Sequence, residues 1–114
     1  SDFALMKTGF GRNAKALLSY LYKTKKYDIV HYCCGTLGND PKLQSTPWKS
    51  IGTIPPGQPN NPDPEQARRT SYGADLIDKV IKEEKPDVYI GCQDIWGVDF
   101  ALEKVWFNGK RFYP

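Results

Sequence analysis

The sequence lacks most of the features that announce a membrane, a metal or an oxidising compartment. No apolar run approaches the roughly 18 to 20 residues of a membrane span, and Ser1-Asp2-Phe3-Ala4-Leu5-Met6-Lys7 does not have the charged-then-apolar layout of a signal peptide. Cysteine occurs three times, at Cys33, Cys34 and Cys92, an odd number with no C-x-x-C spacing. That argues against both a disulfide framework and a zinc ribbon, and it fits a reduced, cytoplasmic setting. The single histidine, His31, sits mid-strand without ligand spacing around it, so no metal is expected. An excess of one charge is lacking too. Sixteen basic residues stand against 13 acidic ones, a formal +3, and the basic residues are scattered except at Lys23-Thr24-Lys25-Lys26. That excess is too small to argue for nucleic acid.

What is present is one domain's worth of chain. At 114 residues, with 39% hydrophobic, 13% aromatic and 25% charged residues, the sequence can bury a single core and is too apolar for disorder. From Arg12, the residues Ala14, Leu17, Leu18, Leu21 and Tyr22 recur at i, i+3, i+4, i+7, i+8, which predicts an amphipathic helix. Tyr27 to Gly35 reads as a buried strand of the parallel type. Seven of the nine prolines then fall between Gly35 and Glu65. This segment, 35–64, reads as a loop or insertion, with at most a short strand at Trp48 to Ile54. Asp63-Pro64-Glu65 opens a second helix, with Asp63 as N-cap, that continues through Ala67, Ser71, Ala74, Ile77, Val80 and Ile81 and stops before Pro86. Pro86 to Asp94 is a second buried strand. Val98, Ala101, Leu102, Val105 and Trp106 predict a third helix that Asn108-Gly109 ends, and Arg111 to Tyr113 opens another strand. Helices alternating with strands imply an α/β fold with a mostly parallel sheet.

Two places have the composition of a binding site. Gly9-Phe10-Gly11-Arg12-Asn13-Ala14 fits a loose G-x-G-x-x-A before a helix, where glycines let backbone amides approach a phosphate. A plain tight turn explains the same residues. A dinucleotide reading calls for an acid at the end of the second strand of such a unit, and here that strand ends in Cys33-Cys34-Gly35. Gln93-Asp94-Ile95-Trp96-Gly97 lies at the carboxyl end of a strand, the edge where open α/β sheets place ligands. Asp94 is the one candidate catalytic group, as a base or as an acceptor for sugar hydroxyls, and Trp96 offers a flat face to a sugar ring. The alternative is that Asp94 caps the following helix and Trp96 is core. Cys33 and His31 share one strand face, with Cys34 on the other, and as small buried groups they read as core. Arg68-Arg69 and the cluster from Lys82 to Lys85 read as solvated helix faces.

Taken together, Ser1-Asp2-Phe3, Thr8-Gly9-Phe10-Gly11-Arg12, Lys85-Pro86-Asp87-Val88-Tyr89-Ile90 and Gln93-Asp94-Ile95-Trp96 resemble the N-terminal domain of group 1, family 4-like glycosyltransferases of the two-domain GT-B fold. The resemblance implies a Rossmann-like three-layer sandwich, incomplete at both ends, with the first strand lying upstream of Ser1. It implies retaining transfer of a sugar from a nucleotide-sugar donor, which is substrate and not cofactor, to a glycan or other hydroxyl acceptor. In this chain, Gly9, Phe10, Gly11 and Arg12 would be the loop that approaches the donor diphosphate. Gln93, Asp94 and Trp96 would line the acceptor side. The donor-binding C-terminal domain is missing from the 114 residues, so the expectation is an inactive piece of a larger enzyme. A stand-alone binding module of the same topology, self-associating through exposed sheet edges, is the reading from a different class.

Overall fold

Thr8 fixes where the first helix starts. In the computed structural model, which describes residues 1–57, 63–94, 97, 99–104 and 111–113, α1 spans Gly9–Thr24 and so begins earlier than its apolar stripe. Thr8 is extended, its Oγ1 accepts from the Gly11 amide at 3.0 Å, and its carbonyl accepts from the Arg12 amide at 3.0 Å. The first bond satisfies an amide that a helix start leaves without an intrahelical partner, and the second opens the helical ladder. Gly11 is buried because the chain turns back against it: a Cβ there would stand 2.6 Å from the Met6 carbonyl oxygen. That close approach centres the buried face on Gly11 and Ala14, with Leu18 and Leu21 half-buried. Leu17 and Tyr22, expected inside, are 42% and 45% exposed.

β1 (Val30–Leu37) starts three residues after the expected strand and runs through Gly35, which takes a left-handed φ of 69°. β2 (Lys49–Ile54) pairs with it in parallel, from Val30 opposite Lys49 to Cys33 opposite Gly52. The register then shifts, and Leu37 faces Ile54. On the other edge of β1, Asp2 bridges Cys34 in parallel, and the Cys34 amide donates to the Ser1 carbonyl at 2.8 Å. The Pro-rich segment that joins the strands is not all loop. Asp40 caps a 3₁₀ turn, Pro41–Ser45, by accepting from the Lys42 amide at 2.9 Å, and Leu43 on that turn is buried against Phe3 and Cys33.

One expected helix is two. α2 (Pro64–Tyr72) is capped by Asp63 as predicted, but Gly73 ends it at φ 104°. The Gly73 amide donates to the Thr70 carbonyl and the Ala74 amide to the Arg69 carbonyl, each at 3.0 Å, the bond pair of a Schellman stop. Position 73 has no room for a side chain either: a Cβ would lie 2.5 Å from the Tyr32 ring, whose hydroxyl donates to the Gly73 carbonyl at 2.7 Å. α3 (Ile77–Glu84) follows and ends at Lys85, left-handed at φ 48°.

β3 (Val88–Ile90) is shorter than the expected strand, and it pairs in parallel with β4 (Arg111–Tyr113). Between them Asp99–Glu103 forms a 3₁₀ turn in which Phe100 and Ala101 are buried and Leu102 is 52% exposed. A 3₁₀ turn takes three residues per turn, so the 3.6-residue stripe that placed Leu102 inside does not hold there. Val98, Val105, Trp106 and the Asn108-Gly109 stop lie outside the described residues.

Alternation along β1 gives it two cores. Tyr32 packs on one side against Ile77, Ile81, Phe100 and Ala101, and Cys33 packs on the other against Phe3 and Leu43. Ile77, 1% exposed, contributes on the order of 2 kcal/mol through its burial. The result is a mixed α/β fold with parallel strand pairs. Among the described residues, no helix is long and apolar enough to cross a membrane.

Candidate functional site

The N-terminal segment enters beside β1 with its Asp2 backbone paired to Cys34, which leaves the carboxylate at the carboxyl-terminal end of the parallel strands. Three separate parts of the sequence meet at that carboxylate. Asp2 Oδ2 accepts from Thr8 Oγ1 at 2.5 Å, and Asp2 Oδ1 accepts from Gln93 Nε2. Thr8 is therefore both the cap of α1 and a ligand of Asp2, so the start of the helix is anchored to the sheet edge. We expect Thr8→Ala to lose about 1 to 2 kcal/mol of stability in urea denaturation, and Thr8→Ser to stay within about 0.5 kcal/mol of the parent.

Beside Asp2 an open cleft of about 180 Å³ is lined by Asp2, Met6, Cys34, Gly35, Arg68, Ser71 and Tyr72. Its back wall is held by Thr53, fully buried, whose Oγ1 donates to the Ser71 carbonyl at 2.7 Å and accepts from the Gly35 amide at 3.2 Å. One hydroxyl thus joins β2, the left-handed turn of β1 and the last turn of α2. Arg68 pairs with Glu65 one helical turn earlier while lining the cleft. Tyr72 packs against Gly97 closely enough that a Cβ on Gly97 would sit 3.0 Å from its ring. Burial, with the negative charges of Asp2 and Asp94 nearby, holds the Tyr72 phenol up and protonated. An acceptor carboxylate, a cation, a hydroxyl and a ring in one cleft can orient a polyhydroxylated ligand.

No family model, curated protein or solved structure matches the chain. The reading of the site therefore rests on its own residues.

Of the residues expected to line an acceptor site, Gln93 is half-buried and reaches Asp2, while Asp94 is exposed and its carbonyl accepts from the Gly97 amide at 2.9 Å. Trp96 lies outside the described residues. Of the expected diphosphate loop, Gly9 is exposed with nothing within 4 Å of its missing Cβ, Phe10 is half-buried, Gly11 is packed against the chain, and Arg12 is exposed. These four form the first turn of α1 and not a loop before it. Sequence reasoning missed the hub role of Asp2 and read Arg68 as a solvated face. A usable signal was Gly35 at the end of a strand of the parallel type, which marks the edge where a neighbouring carboxylate would face a cleft.

The two buried thiols, Cys33 and Cys34, are chemically quiet. Burial pushes the Cys33 thiol up to about 12 and raises that of Cys34, so neither is a thiolate at neutral pH. His31, 6% exposed, shares a 2.8 Å hydrogen bond through Nε2 with Ser1 Oγ, and its buried Nδ1 has no hydrogen-bond partner among the described residues. Among the described residues no three His, Cys, Asp or Glu side chains come together to hold a metal ion.

Proposed function

We propose that this chain is the acceptor-side domain of a retaining GT-B glycosyltransferase, using a nucleotide-sugar donor and a hydroxyl acceptor, and inactive as the 114-residue piece. The observation that carries the reading is the convergence on Asp2. The Ser-Asp-Phe segment, the Thr-Gly-Phe-Gly turn and the Gln-Asp-Ile-Trp strand exit are distant in sequence, and one carboxylate ties all three together. On this reading the Ser1–Phe3 segment is the end of a first strand lying between β1 and β3. The sheet order becomes β2, β1, first strand, β3, β4, a doubly wound Rossmann-like layer whose ligand edge holds the cleft. The open space at Gly9 and the positive end of α1 suit a donor diphosphate, and Asp94 with Gln93 suits the acceptor. Turnover needs oriented contacts to the leaving diphosphate from a second domain, so the piece alone binds and does not transfer.

The test is thermal shift of the chain against uridine and guanosine diphosphate sugars and against NAD. A rise in Tm with a nucleotide sugar and none with NAD is the expected result, and stabilisation by NAD alone would reverse the assignment. Gly9→Asp separates binding from folding. It puts a carboxylate into open space at the helix start, which leaves stability unchanged or slightly raised, yet it repels a diphosphate and removes the shift.

A further inference from the structure

The net charge conceals a segregation. Between Asp2 and Asp28 the chain carries six basic residues, Lys7, Arg12, Lys15, Lys23, Lys25 and Lys26, and no acidic one. Of 16 basic and 13 acidic residues in all, 10 and 13 remain elsewhere, so the rest of the chain is net negative by 3. The structure turns that stretch into a surface, because all six basic residues are exposed. On α1, Arg12 and Lys23 follow i, i+11 and lie away from buried Gly11 and Ala14, while exposed Lys15, one turn after Gly11, borders the buried stripe. Tyr20, 69% exposed, lies beside them one turn before Lys23, and Leu17 is 42% exposed on the flank.

We propose that the outer face of α1, with the Lys25-Lys26 turn, docks onto an anionic lipid surface, the helix lying flat in the headgroup layer. Charge complementarity selects the partner. Five of the six cations are lysines, point charges suited to a diffuse anionic plane, whereas paired reading of individual phosphates favours arginine. An exposed tyrosine and leucine among the lysines match the amphipathic side chains that enter a bilayer interface, and a nucleic-acid groove has no use for Leu17. Arg12 alone is shared with the glycosyltransferase reading, and the variants below leave it in place, so failure of either reading is read separately.

Co-sedimentation of the chain with vesicles of phosphatidylcholine, with and without phosphatidylglycerol, tests it directly. At about 0.1 M salt the chain should pellet with the anionic vesicles and not with the neutral ones. Binding should disappear near 1 M salt, where the screening length falls to about 3 Å. Each lysine near the surface is worth about fivefold in partitioning, so the combined Lys15→Gln, Lys23→Gln and Lys26→Gln variant should bind about 100-fold more weakly. Tyr20→Ser should weaken binding to anionic vesicles without changing its salt dependence. Equal binding to both vesicle types, or none to either, overturns the proposal without any variant. So does tighter binding to a short DNA duplex than to the anionic vesicles at the same salt.

Discussion

Gly52→Ala should lose at least about 3 kcal/mol of stability, a large part of what holds a domain of this size together. Gly52 is buried in β2 at the point where the register with β1 shifts, between the Cys33–Gly52 and Leu37–Ile54 pairs. The irregular stretch of β1 folds over it so closely that a Cβ would stand 2.5 Å from the Thr36 carbonyl oxygen and 2.6 Å from that of Leu37. Both are backbone atoms, so no rotamer change relieves the overlap. The two strands must part or the bulge must be rebuilt, and Thr53 next door would lose its bonds to Gly35 and Ser71. Gly9→Ala is the matched control, with nothing within 4 Å of the added methyl, and should change stability by no more than about 0.5 kcal/mol. Urea midpoints of the two variants measure the contrast. An unchanged midpoint for Gly52→Ala would show that the strands do not meet in this register.

The second large effect is a loss of stability in mild acid that traces to His31. Burial first, and the N-terminal ammonium second, lower its pKa from 6.5 to about 4, against smaller opposing contributions from the Asp2 backbone and charge. A depressed folded-state value means that the native protein resists protonation while the unfolded chain does not. The contribution is therefore fully present above pH 6.5 and is lost as the pH falls from there towards 4. The difference corresponds to about 3 kcal/mol. His31→Gln keeps a polar group for Ser1 Oγ and does not titrate, so the parent should lose stability relative to this variant between pH 7.5 and pH 4.5. Parallel denaturation curves of parent and variant at the two pH values are the measurement. Parallel losses would assign the acid sensitivity to carboxylates elsewhere.

Local chemistry made much of the fold legible in the sequence. Asp63-Pro64 marked the start of α2 because a cap and a fixed φ act within three residues, and the β-branched and aromatic run around Val30 marked β1. What stayed hidden depended on distant neighbours. Gly73 falls inside the one long helix that the apolar pattern predicts, and the Tyr32 ring that fills the space of its side chain is 41 positions away. The burial of Leu43 within a proline-rich segment follows from Phe3 and Cys33, which no window around Leu43 contains. The site was legible as two edges, the turn at Gly9 to Gly11 and the exit at Gln93, but not as one place. Their meeting on Asp2 is a tertiary fact. Asp94, favoured by its position after a strand, is the more exposed partner, while Gln93 makes the contact to Asp2.

The Asp2–Gln93 hydrogen bond also dates the site within the life of the chain. Its partners are 91 positions apart, so closing it comes at the end of a long search and after β3 has been synthesised. A nascent chain that has already wound α1 and paired β1 with β2 still holds Asp2 without its second donor. Asp2 thus gains its second donor only after residue 93 has been added, later in synthesis than every lining residue of the cleft, none of which lies beyond Tyr72.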